Sequence, residues 1–182
     1  MSSDIEARLR GLEDRALISE VVIKYALGVD RQDWGMFGEC FTDRIWTDYS
    51  GLGSPAREWL REDFVAMVRS ALSGFTATQH ISPNHVIAFD QDDPDRAICH
   101  SYMHAQHLLE GSEAGDFYLA RGSYSNHMLR TPAGWRIERI VQYVSWQEGN
   151  TNAVTEATAR FASKATDRVL PNTPPRRLRR AR

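Results

Sequence analysis

The second half of the chain restricts the fold more than any other feature. From Thr76 onward the sequence turns to strands, at about residues 76–89, 96–110, 116–130 and 135–147. Their connections are turn-rich: Asp90-Gln91-Asp92-Asp93-Pro94-Asp95, Gly111-Ser112-Glu113-Ala114-Gly115 and Thr131-Pro132-Ala133-Gly134. Long antiparallel strands joined by short turns make a meander, and a long sheet must twist and curl. Helical periodicity fills the region before residue 73, so the pattern is α+β. Helices on the concave face of a curled sheet leave a pocket between the two layers.

The helices organise that pocket. Residues 4–13 carry Ile5, Leu9 and Leu12 at helical spacing. Asp14 is placed to cap a second helix, whose apolar positions are Leu17, Ile18, Val21, Val22 and Tyr25. That helix is predicted to stop near Asp30-Arg31-Gln32-Asp33. A short helix covers Trp34 to Cys40, and residues 44–50 alternate as a strand with Ile45, Thr47 and Tyr49 on one side. Pro55 suits the first turn of a further helix to about Leu72, with Trp59, Leu60, Phe64, Met67 and Val68 inward. Residues 152–165 read as a last helix. An acid where the apolar periodicity stops, Asp30, does not help to bury its helix; it is read as facing a cavity.

Composition removes several classes. The net charge is −2, which gives no reason to expect nucleic acid. No apolar run approaches the ~20 residues that cross a bilayer. Met1-Ser2-Ser3-Asp4 lacks the basic start and apolar segment of a signal peptide. Two cysteines, Cys40 and Cys99, make no disulfide framework and read as small buried hydrophobes in a reducing, cytoplasmic setting. The five arginines after Pro171 (Arg176, Arg177, Arg179, Arg180 and Arg182) read as a solvated terminal tail.

The histidines supply the chemistry. His100, His104 and His107 suggest a metal motif, but four residues along a strand span ~13 Å, too far for one ion, so no metal is expected. Alternation puts His100, Tyr102, His104 and Gln106 on one face, either solvated or lining a wet pocket. His80 lies on the first strand after the helices, where it could cross the end of the Asp30 helix. A histidine beside a carboxylate is the smallest unit for proton abstraction near neutral pH.

Three strings resemble SnoaL-like proteins: Ala16-Leu17-Ile18 through Asp48-Tyr49-Ser50-Gly51, Thr78-Gln79-His80 with Asn84-His85, and Arg130-Thr131-Pro132-Ala133-Gly134-Trp135-Arg136-Ile137. The resemblance covers about residues 5–148. It implies a cone-shaped curved sheet, mixed or antiparallel, wrapped around the N-terminal helices: the cystatin-like α+β barrel of scytalone dehydratase, ketosteroid isomerase and nuclear transport factor two. The domain is then 1–150, with a helical extension at 151–170 and the basic tail at 171–182. Among relatives, bile-acid dehydratases, scytalone dehydratase and hexachlorocyclohexane dehydrochlorinase pair a helix-end Asp with a sheet His, matching Asp30 and His80. Bile-acid dehydratases also have tyrosines matching Tyr25 and Tyr49, and an acid where this chain has Met103-His104-Ala105, a departure that argues against the same substrate. Scytalone dehydratase's second histidine is assigned to His104. The dehydrochlorinase has a Lys where Tyr25 stands.

The resemblance implies a cofactor-independent dehydratase (a lyase) acting on a hydrophobic ring-containing or polyketide- or steroid-like small molecule. His80, held by Asp30, takes a proton beside a carbonyl. Tyr25 or Tyr49 stabilises the oxygen, and His104 or the other Tyr protonates the leaving hydroxyl. Trp34, Phe37, Trp46, Phe64, Phe117 and Tyr143 are the candidate pocket walls. The alternatives are a ketosteroid-type isomerase and a non-catalytic binding module. A homo-oligomer, trimer or dimer, built on the convex face of the sheet is also implied, with no nucleic-acid or membrane partner. Tyr25 and Asp30 are five residues apart, about 140° round a helix, so both reach one site only if the cavity wraps the helix end.

Overall fold

The computed structural model describes residues 2–167; the basic tail and the last residues of the extension lie outside the described residues. The elements run α1 (Ser2–Asp30), α2 (Trp34–Gly38), β1 (Phe41–Tyr49), a 3-10 turn (Ser50–Leu52), β2 (Ser54–Leu60), α3 (Arg61–Leu72), β3 (Ala77–Ile81), β4 (Val86–Phe89), β5 (Arg96–Leu108), β6 (Phe117–Thr131), β7 (Gly134–Gly149) and α4 (Ala153–Asp167). Seven strands form one sheet in the order β2-β1-β7-β6-β5-β3, with β4 also on β5. All pairings are antiparallel except β1 with β7, so the sheet is mixed. This is the predicted α+β architecture, with the helices on the concave side.

The long strands curl at defined points. The β6–β7 register shifts between Arg121 and Gly122. A Cβ on Gly122 would stand 1.7 Å from the Tyr143 carbonyl oxygen, so only glycine allows that approach. The concave face is apolar: Ala97, Cys99, Met103 and Ala105 of β5 are buried with Tyr124 and Met128 of β6 and Ile137 and Ile140 of β7. α1 lays Ile18, Val22 and Val29 onto this face.

Three predicted elements differ. Residues 4–30 are one helix, and Asp14 is not a cap. Its carboxylate accepts two hydrogen bonds from Arg130, at 2.8 and 2.7 Å, and one from Trp135 Nε1 at 2.9 Å. Those bonds tie mid-helix to the β6–β7 hairpin and replace the local capping role. Second, the helix expected from Pro55 is the edge strand β2, and the helix begins only at Arg61. Trp59 donates to Thr47 Oγ1 across β1, while Leu60 is exposed rather than inward. Proline is tolerated on an edge strand because no ladder bond is asked of its nitrogen. Third, the strand expected at 76–89 breaks into β3 and β4 around Pro83 and Asn84, the latter at φ 62°.

The end of α1 fixes the site. Gln32 at φ 53° turns the chain, and Asp33 N–H bonds the Gly28 carbonyl at 2.8 Å. Asp33 then caps α2 by accepting from Met36 N–H at 2.9 Å. A Cβ on Gly28 would lie 2.8 Å from Phe37 N, so glycine permits α2 to close on α1. Among the described residues no helix is long and apolar enough to cross a membrane.

The Asp14 cluster yields a stability prediction. The Arg130 hydrogen bonds, opposed by burial and aided by Trp135, hold the Asp14 carboxyl below its ordinary 3.8. The folded value is depressed, so the stabilisation is full above the ordinary value and is lost as pH falls through the lower, folded one. Asp14→Asn should cost about 2 kcal/mol in urea unfolding at neutral pH. The difference from the parent should vanish below that carboxyl's folded pKa.

Candidate active site

Asp30 ends α1 facing β3, and it accepts three hydrogen bonds from that strand. Oδ2 takes the His80 backbone N–H at 2.8 Å. Oδ1 takes the Thr78 hydroxyl at 2.9 Å and lies 2.7 Å from His80 Nδ1. A carboxylate only accepts, so the imidazole donates from Nδ1 and its Nε2 keeps the lone pair. The pair is recessed but reachable: the side chains of His80 and Asp30 are 10% and 18% accessible. A helix terminus and a strand of one layer above the other thus meet through a single carboxylate.

His107 is the residue that sequence reasoning missed. Its ring stands 5.3 Å from that of His80, at 89°. It is sandwiched against Phe75 and Tyr118, and Nδ1 donates to the Tyr118 carbonyl at 3.3 Å. Burial, then the neighbouring His80, pushes its pKa down to about 3, so it is neutral and its Nε2 can only accept. The signal was parity. His107 shares the odd positions of Ala97, Cys99, Met103 and Ala105, all of which face inward.

His104 has the other parity and belongs to the outer face with His100 and Tyr102, opposite Arg121 and Ile81 on the neighbouring strands. The structure does not bring it to Asp30 and His80, which corrects its assignment as the second histidine. No group of three or more His, Cys, Asp or Glu among the described residues stands close enough to hold an ion.

A phenol cluster gathers around Tyr25. Tyr25 and Tyr49 share a hydrogen bond at 3.3 Å, and the Tyr25 ring meets Tyr124 at 6.1 Å. Gln142 Nε2 donates to Tyr124 OH at 3.3 Å. Burial drives the pKa of Tyr25, Tyr49 and Tyr124 upward, so all three remain protonated donors. Gln142 and Tyr124 were not anticipated, since a polar residue at a strand's inward position looks like any other alternation fault.

The six proposed wall residues divide. Phe37 and Phe64 are fully buried, and their rings back Tyr25 and Tyr49. Trp34 is half-buried against Phe37. Trp46 faces out under the Arg139 guanidinium, 4.0 Å away. Phe117 and Tyr143 are 56% and 58% exposed. These three are corrected: strand parity, not aromatic character, decides the face.

The model of the SnoaL-like domain family matches residues 10–141. An uncharacterized protein of Mycobacterium tuberculosis is 24% identical over 144 residues, covering 75% of this chain and 89% of the relative. The solved Kfla4162 protein of Kribbella flavida is 31% identical with TM-score 0.74, covering 80% of this chain and 99% of that one. A hexachlorocyclohexane dehydrochlorinase of Novosphingobium barchaimii superposes with TM-score 0.66 at 16% identity, covering 78% and 93%. An NTF2-like protein with a cystatin-like fold from Novosphingobium aromaticivorans gives 0.61 at 20%, covering 79% and 89%. The last two show shared fold.

The neutral His107 has a thermodynamic consequence. Between its ordinary 6.5 and about 3 the folded chain binds fewer protons there than the unfolded one, so stability falls as pH drops through that window. His107→Phe keeps the ring stack and removes the loss. Relative to its effect at neutral pH, the variant should gain on the order of 2 kcal/mol at about pH 4.5 in urea unfolding.

Proposed function

The chain belongs to the SnoaL-like family, and on that footing we propose that it is a cofactor-independent dehydratase acting on a hydrophobic, ring-containing small molecule. The observation that carries the reading is the hydrogen bond from His80 Nδ1 to Asp30, which leaves a basic Nε2 at a recessed position. His80 Nε2 takes the proton from carbon beside a carbonyl. Asp30 holds the ring's tautomer and stabilises the imidazolium that forms. The C–H electron pair becomes an enolate, whose oxygen accepts from the Tyr25 or Tyr49 phenol. Collapse of the enolate forms the C=C bond and breaks the C–O bond of a hydroxyl on the next carbon. The His80 imidazolium returns its proton to that hydroxyl, releasing water. His107, held neutral, accepts from the hydroxyl and positions it; it is not the acid.

The fold relative named as a dehydrochlorinase supports an elimination in this scaffold. A second reading rests on the same base. The imidazolium can return its proton to carbon instead of to the hydroxyl, and the chain is then an isomerase. A binding module without chemistry is the third reading, separated by experiment.

Proton abstraction is testable without the natural substrate. The full chain should accelerate exchange of the α-hydrogens of β-tetralone into D₂O, followed by proton NMR. His80→Ala and Asp30→Asn should each lose ~100-fold or more of that acceleration, and Tyr25→Phe ~10-fold or more. Exchange that survives His80→Ala contradicts the mechanism, and a parent chain with no exchange favours the binding module.

A further inference from the structure

The feature that the site does not use is the outward face of α1. One stripe of the helix, Ile18, Val22, Tyr25 and Val29, faces the sheet. At 100° per residue a second apolar stripe lies about 140° away and faces out. It consists of Ile5, Leu9, Leu12, Ala16 and Ile23, which are exposed, with half-buried Ser19 between them. Ile5, Leu9 and Leu12 are 62%, 54% and 66% exposed, and Ile23 is 49% exposed. These positions recur at alternating steps of four and three, the spacing of a coiled-coil seam. Residues 4–10 are exposed on every side, so the first turns stand clear of the body. A helix overhang of this kind gains nothing from its own leucines unless something packs on them.

The charges beside the seam say what fits. Glu13 and Glu20 line one flank, Arg8 and Arg15 the other, each five residues apart across the seam (8 to 13, 15 to 20). In two parallel helices related by a twofold axis along them, the basic flank of one meets the acidic flank of the other. Arg8 then faces Glu13 of a second copy, and Arg15 faces Glu20. In an antiparallel pair acid would face acid. Arg15 also donates to the Ile87 carbonyl and lies over Phe89, so the Arg8–Glu13 pair is the freer of the two.

We propose that α1 pairs in parallel with α1 of a second copy of this chain. The seam from Ile5 to Ile23 runs ~27 Å, which gives a contact at the small end of specific interfaces. The dimer is therefore reversible and weakens with salt. The two bodies lie on opposite sides of the helix pair, and both sites stay open.

Sedimentation velocity and cysteine cross-linking on the full chain test this. The parent should be dimeric at ~10–100 μM and dissociate on dilution. Leu9→Glu, at an exposed position, should weaken association by ~100-fold or more without changing the melting temperature. Arg8→Glu should weaken it by several-fold, and adding Glu13→Arg should restore it. Leu9→Cys and Ile23→Cys, oxidised separately, should each form disulfide dimers with themselves, since Cys40 and Cys99 are buried. A monomer throughout that range overturns the proposal. So does a dimer untouched by Leu9→Glu, which would move the contact to the sheet's outer face. Cross-links that form only when the two cysteine variants are mixed would make the pair antiparallel and overturn it as well.

Discussion

The carboxylate of Asp30 is the point through which the two layers of this molecule are joined at the site. It takes the Thr78 hydroxyl, the His80 amide and the His80 ring at once, so the helix end cannot shift without leaving a recessed charge short of partners. Everything upstream serves to deliver it. Gly28 lets α2 close against α1, Gln32 adopts the left-handed turn, and Asp33 starts the next helix. The same bonds fix the imidazole's tautomer. One group therefore does both: the residue that ties α1 to β3 is the one that orients the His80 imidazole.

Beside that pair His107 is neutral because it is buried among rings, and it offers only an acceptor. Around Tyr25 three phenols are kept protonated by burial and offer donors. The aromatic cluster of Phe37, Phe41 and Phe64 beneath fixes the phenols in place.

Much of this was legible in the sequence, for unequal reasons. The stop of α1 at Asp30 and the long strands after residue 96 rest on periodicity sustained over many residues, and they agree with the reading. The pairing of Asp30 with His80 had a weaker basis: 50 residues separate them, and it rested on His80 lying on the first strand after the helices and on the family resemblance. The errors share a cause. β2 was taken as a helix because Pro55 suits a helix start as well as an edge strand, and nothing in Ser54–Leu60 decides between them. Asp14 looks like a cap because a cap is local, whereas its partners Arg130 and Trp135 come from the other end of the domain. His104 was matched through the resemblance alone, whereas the parity of Ala97, Cys99, Met103 and Ala105 points inward through His107. Trp46, Phe117 and Tyr143 failed because an aromatic on a strand tells nothing about which face it occupies.

The central claim is that Asp30 holds His80 with its proton on Nδ1 and its lone pair on Nε2. Nitrogen-15 NMR of the histidine rings at neutral pH measures this directly. The account predicts a single His80 tautomer protonated at Nδ1, with that proton shifted far downfield and lost in Asp30→Asn. A His80 ring protonated at Nε2, or one averaging between tautomers as a free imidazole does, would contradict it.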